Sequence, residues 1–262
     1  MLYINGDGHS AGAGIVNGFR NAQEDPRYLS YGRRAHPDAV PSIYGYKVAK
    51  VLNQGLMLEA ESGSSNTRIL RTSRSRIAET VNKRDLFVII GWSTWDRDEW
   101  KVGEDYLQIS ASGTDNVPED RQEEYQKWLS NIDEEWYAKR AQYWHEEIWN
   151  FHLELKEQDI KHLFFHSTDS WGYAYENEDT LPEWEDSFIG AYGTDSFTNW
   201  LANSGFEDQD GYYSAEAHAA WYGFIFKKIR NGDRANRKQL TSNSKRSIIT
   251  KNKVQPFTGL KK

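Results

Sequence analysis

Two short, unbroken apolar runs, "LFVIIG" at 86–91 and "HLFF" at 162–165, constrain the fold more than any other feature of the chain. A strand without polar alternation has no solvent face, so each run reads as a strand covered on both sides. Together with the leading "LYIN" and with "LMLEAE", they predict strands at Leu2–Asn5, Leu56–Glu61, Leu86–Gly91 and His162–His166. Helical periods fill the intervals. Thr67–Val81 places Ile69, Leu70, Ile77 and Ala78 on one face, and Pro118 to Lys156 repeats apolar residues from Tyr125 to Leu155 at gaps of three, four and seven. The second pattern predicts an amphipathic helix, or two end to end. His145 and His152 lie on it seven apart, without the i, i+4 spacing of a zinc helix, and read as ordinary helix residues. Asp195–Asn203 and Ser214–Arg230 are the last expected helices, with Ser214 suited to an N-cap and Glu216 to the positive first turn. Alternation of this kind predicts an α/β fold with a parallel sheet between helices.

Two stretches, Asn17–Ser42 and Ser167–Phe188, lack either period. Connections that long are expected to be binding loops, and both fall where open sheets keep their sites. Beyond Arg230 the apolar pattern stops. Residues 231–262 hold nine Lys/Arg against one acid, a charge of +8, so with −7 overall residues 1–230 carry −15. An α/β body over 1–230 and an extended basic tail over 231–262 are therefore expected. Docking on an acidic partner would engage Arg234, Arg237, Lys238, Lys245, Arg246, Lys251 and Lys253. Nucleic acid is a poor partner for such a body, whose charge repels phosphates. Zero cysteines exclude disulfides, thiolate nucleophiles and cysteine metal sites. No apolar run of ~18 residues and no signal-like start occur, so a soluble chain is expected, with no membrane association. Neither a cofactor nor a metal is expected.

The first strand runs into "NGDGHSAGAG", residues 5–14. Gly6-x-Gly8-x-x-Ala11 has the form of a dinucleotide fingerprint, but that unit needs a second strand within ~30 residues, ending in an acid for the ribose. Here the next strand starts near Leu56, and Glu24 and Asp25 fall in a loop. No Gly-Lys-Ser/Thr follows, so a Walker loop is also excluded.

The turn makes more sense beside three later blocks. "GDGHSAG", "ESGSSNTRI", "IIGWSTW" and "DGYYSAEAHAAW" follow one another at 6–12, 61–69, 89–95 and 210–221. In this order, over roughly residues 1–230, the chain resembles the SGNH, or GDSL-type, hydrolases and is similar to the SGNH-like proteins of cyanobacterial and marine phages. The resemblance implies a three-layer α/β/α, flavodoxin-like domain. It also implies a serine nucleophile after Gly-Asp, a Gly and an Asn at the oxyanion hole, and an Asp-x-x-His near the C-terminus. Such a set works because a hydroxyl needs a base in reach, the base needs a carboxylate, and the oxyanion needs fixed donors.

Carried over by position, the nucleophile falls on Gly8, which has no side chain. The second-block glycine falls at Ser65 beside Asn66, the third-block Asn at Ser93, and the histidine at Tyr212, with Gln209 three before it and Asp210 two before. Nucleophile and base are both missing. The expectation is a domain with a degenerate triad, kept as a binding or structural component of a phage particle or assembly, in the host cytoplasm or the virion. The alternative is a carbohydrate or lipid O-esterase with a displaced nucleophile, Ser10 working with His218 or His9. Against it, Ser10 suits a helix cap, His218 a packed position, and Asp7 a bond to the amides of the turn. Trp92, Trp95 and Trp171 stand near strand ends, either as platforms for carbohydrate in the cleft or as wedges between strand and helix.

Overall fold

The computed structural model describes residues 1–16, 34–111, 117–168, 184, 187–190 and 196–231. The basic tail beyond residue 231, Trp171 and most of both long loops lie outside them. The chain divides into two compact units, Met1–Tyr222 and Gly223–Lys262. The first holds the sheet and the candidate site; in the second, residues 223–231 are helical.

Four strands form one parallel sheet: β1 (Leu2–Gly6), β2 (Leu56–Leu58), β3 (Phe87–Trp92) and a last strand, Lys161–His166, in the order β2, β1, β3, last. All five residues of β1 are buried, the polar Asn5 as well as Leu2, Tyr3 and Ile4. Each of these strands lies within two residues of the expected one at its start, while β2 stops at Leu58 rather than Glu61. Phe188 extends the sheet by a single parallel bridge to Phe164, through Phe164 N–H to Ser187 O and Ile189 N–H to Phe164 O, both 2.8 Å.

Strand order fixes where the helices go. Moving from β1 to β2 and then back across β1 to β3 reverses direction, so right-handed crossovers put the two connecting helices on opposite faces. The first, α2 (Tyr44–Val51), packs on the face of Ile4 and Phe165. Its counterpart, α3 (Asn66–Glu79), presents Ile69, Leu70 and Ile77 to Tyr3, Val88 and Ile90 on the other. The aromatic-rich pattern after Pro118 resolves into two helices, α4 (Gln122–Ser130) and α5 (Glu134–Glu157), and α5 joins α3 on its face through Trp144, Ile148, Phe151 and Leu155. A short α1 (Gly8–Ala11) follows β1 directly, and α6 (Phe197–Asn203) starts after Ser196, which accepts from the Asn199 N–H at 3.1 Å. Residues 215–231 are helical, and Ser214 caps them by accepting from Ala217 N–H at 3.3 Å.

One element was not expected. Arg97–Val102 (β4) and Asp105–Ser110 (β5) form an antiparallel hairpin, which makes Lys161–His166 β6. Polar contacts rather than apolar burial hold it to α3. Arg71 grips Glu99 with two bonds of 2.8 and 2.7 Å, Thr67 donates to Asp98 at 2.9 Å, and Gln108 bonds both Glu99 and the Ser65 cap. Among the described residues no helix is long and apolar enough to cross a membrane.

Candidate functional site

The sheet changes direction between β1 and β3, so their carboxyl ends splay into the crevice where open α/β sheets bind ligands. Gly6 and Gly91 face each other there in register. Neither tolerates a side chain, because a Cβ at Gly6 or Gly91 would lie 2.5 or 2.6 Å from the Ser10 hydroxyl. Ser10 is wholly buried between the strand ends, and its Oγ accepts from the Tyr44 hydroxyl at 2.8 Å. Burial pushes the Tyr44 phenol above its ordinary value, which keeps it protonated as the donor. Ser10 is thus neither an open nucleophile nor the cap of α1. Asp7 is the cap, as its Oδ1 accepts from His9 N–H at 3.1 Å.

Asp7 is also the centre of a buried polar cluster. Its Oδ1 accepts from Ser167 Oγ at 2.9 Å, and Oδ2 faces Ser93 Oγ at 3.5 Å and Arg97 Nη1 at 3.7 Å. Arg97 donates to Ser93 Oγ at 3.0 Å. The unforeseen hairpin therefore has a role at the site, since its first residue neutralises the Asp7 carboxylate. Asn66 does not point into the crevice as a donor. Its amide clamps the β3 end instead, giving Nδ2 to Ser93 O at 3.0 Å and taking Ser93 N–H on Oδ1 at 2.8 Å. Ser65 caps α3 through Arg68 N–H at 3.2 Å.

The third and largest feature is Tyr212. It lies on a tight turn in which Gln209 and Tyr212 exchange backbone bonds of 2.7 and 3.1 Å around Asp210 and Gly211, both at positive φ. The Tyr212 ring rests on the glycine-rich turn: a Cβ at Gly8 would come 2.9 Å from its Cε1, and one at Gly14 would come 2.6 Å from its Cβ. Only residues without side chains leave room for the ring. Its hydroxyl lies 3.3 Å from Ser62 Oγ, a residue that no sequence pattern singles out.

His9 lies beside this pair, ringed by Phe197, Tyr212 and Tyr213 at centroid distances of 5.2, 5.7 and 6.3 Å. It is 8 % exposed, and its Nδ1 has no hydrogen-bond partner among the described residues. Burial lowers its pKa despite the opposing charge of Asp7, so the imidazole is neutral at pH 7. His218 is further inside. It stands within the last helix rather than at its start, stacked on Tyr44 at 6.1 Å, and neither ring nitrogen has a partner among the described residues. Burial pushes it down to about 3.

Trp92 and Trp95 are 0 % and 1 % exposed and belong to the core shared by α3 and α5, so they are wedges and not sugar platforms. His152 is buried and shares a 2.7 Å bond between its Nδ1 and His162 Nε2, while His145 packs edge-on against Trp184. Among the described residues no three His, Asp or Glu side chains are grouped to hold a metal ion. No protein-family model, no curated protein and no solved structure matches the chain. Fold and site together define an α/β protein with a hydroxyl-bearing crevice, in which Asp7 faces Arg97, at the point where its sheet reverses.

Proposed function

We propose that this chain is an SGNH-hydrolase-like domain, of the three-layer flavodoxin-like kind, whose catalytic pair has been lost, and that it acts as a binding or structural component of a phage particle or assembly. One observation carries the loss of chemistry. The two positions at which the resemblance puts nucleophile and base are in contact, but they hold Gly8 and the ring of Tyr212. A base over a nucleophile would have this neighbourhood; here there is no hydroxyl at position 8 to activate and no imidazole at position 212. Asp7, Ser93 and Asn66 keep the frame around them. Such a frame alone supports about 10³–10⁴-fold over water, too little for an esterase.

The phage setting is supported by the order of the four sequence blocks. Docking through the basic tail is supported by the contrast between +8 on residues 231–262 and −15 on the rest. The decisive assay uses short-chain aryl esters and acetylated sugars. The wild-type chain is expected to show no turnover, and Gly8→Ser with Tyr212→His to gain some. Turnover by the wild type would sink the reading. For the tail, removal of residues 231–262 should change oligomeric state or particle incorporation, and no change in either would remove the docking idea.

A further inference from the structure

We propose that residues 197–213 form an acid-released cover over the crevice, and that the buried pair His9 and His218 is its trigger. The cover acts in the same way whether or not the crevice performs chemistry.

Packing makes these residues one unit. Phe197, the first residue of α6, touches both imidazoles, with ring centroids 5.2 Å from His9 and 5.4 Å from His218. At the other end of the stretch Tyr212 and Tyr213 complete the ring around His9, and the Tyr213 hydroxyl ties the two ends by donating to Thr198 O at 3.1 Å. Its inner side chains Phe197, Leu201 and Tyr213 are buried. Through Tyr212 the stretch lies on Gly8 and Gly14, and so covers the carboxyl end of β1.

The two histidines sit under that cover with nothing to hold a charge. His9 Nδ1 and both ring nitrogens of His218 have no hydrogen-bond partner among the described residues. A buried cation without an acceptor is costly, so a proton on either ring favours the state in which that ring reaches water. Departure of Phe197 opens one side of the His218 ring, whose other contact is the stack on Tyr44.

Neighbouring charges do not reverse this. Asp7 in the β1 turn and Asp208 in the cover favour a proton on His9, and Arg97 of β4 opposes it; burial outweighs both carboxylates. On His218 both charged neighbours, His9 and Lys47 of α2, oppose the proton, and burial is the larger effect. Tyr44, Tyr212 and Tyr213 face the rings as phenols, uncharged in acid. Above about pH 6.5 the rings are neutral with the cover closed or open, so closure keeps its full stability. As pH falls from there toward 3, the open state binds more protons and closure weakens. At pH 5 a ring that reaches water is protonated roughly 30:1, which favours the open state about 30-fold per histidine.

Hydrogen exchange read by mass spectrometry on the full chain tests this between pH 7.5 and 5, with rates corrected for the intrinsic effect of pH. Protection across 197–213 is expected to fall about 30-fold or more at pH 5, while β3 keeps its protection. His218→Phe, which keeps a ring against Tyr44 and Phe197, should cut the logarithm of that fall by about half, as should His9→Gln, and the double variant should lose the response. Circular dichroism at pH 7.5 shows which variants are folded; where the double variant is not, the single variants decide. Equal loss of protection in β3 and in 197–213 would make the effect global unfolding. Folded variants with the wild-type fall would assign it to carboxylates, and a flat wild-type profile would leave no release to explain. Each of these three results overturns the proposal.

Discussion

The ring of Tyr212 occupies the space a side chain at Gly8 would need, with its Cε1 2.9 Å from the position of a Cβ there. Contact that close forces one of the two to move.

Gly8→Ala is therefore expected to destabilise the fold by about 1–3 kcal/mol, the usual range for overpacking. In Tyr212→Ala the same substitution should cost much less. Urea midpoints of the four proteins give the coupling as a double-mutant cycle, and additive effects would show that the ring yields freely.

Asp7 combines a cap, two serine contacts and the balance of the Arg97 charge. Asp7→Ala should cost about 2–4 kcal/mol, more than a lost cap alone, because it also leaves Arg97 half-buried beside two hydroxyls. Arg97→Met in the Asp7→Ala background should recover part of the loss. Thermal unfolding of the single and double variants decides this, and no recovery would mean that the guanidinium is solvated without Asp7.

Trp92→Ala and Trp95→Ala should each cost roughly 3–5 kcal/mol, as deletions of buried aromatics do. Urea midpoints of the two variants check this, and a loss within about 0.5 kcal/mol, as at a surface position, would restore these tryptophans to the site.

Acid should weaken the fold below neutral pH in a way that buried histidines dominate. His145 is pushed down to about 4, and His166 and His218 to about 3, by burial. Between those values and the unfolded value near 6.5 the unfolded chain binds more protons, so stability is complete above about pH 6.5 and falls as pH drops toward 3. His218→Phe tests the sign. It removes an imidazole with no partner among the described residues and keeps an aromatic ring against Tyr44. Urea midpoints from pH 7.5 to 4 should fall less steeply in the variant. An unchanged slope would mean that carboxylates alone set the acid limit.

The strands were legible because a strand buried on both faces leaves an unbroken apolar run, and β3 and β6 show this plainly. The β4–β5 hairpin was not, since "RDEWKV" is fixed to α3 by ion pairs such as Arg71–Glu99 and not by a buried apolar face. At the site, the absence of a side chain at Gly8 could be read directly, and the contact of Tyr212 with it could be anticipated only through the family pattern. Ser62 carried no signal, because one serine in "ESGSSN" looks like another until the turn of the chain selects it. The place of Ser10 is illegible for a related reason: its hydroxyl fills space left by Gly6 and Gly91, residues 4 and 81 positions away, and no local pattern records such a fit.

The cradle formed by Gly8 and Gly14 also limits the routes by which this chain could change. A serine introduced at position 8 meets the Tyr212 ring first, and a histidine introduced at position 212 finds no serine to activate. Either step alone gains nothing, and the first also strains the turn. On the proposed reading a catalytic pair therefore needs both substitutions, with position 212 changed first to free the space that position 8 requires.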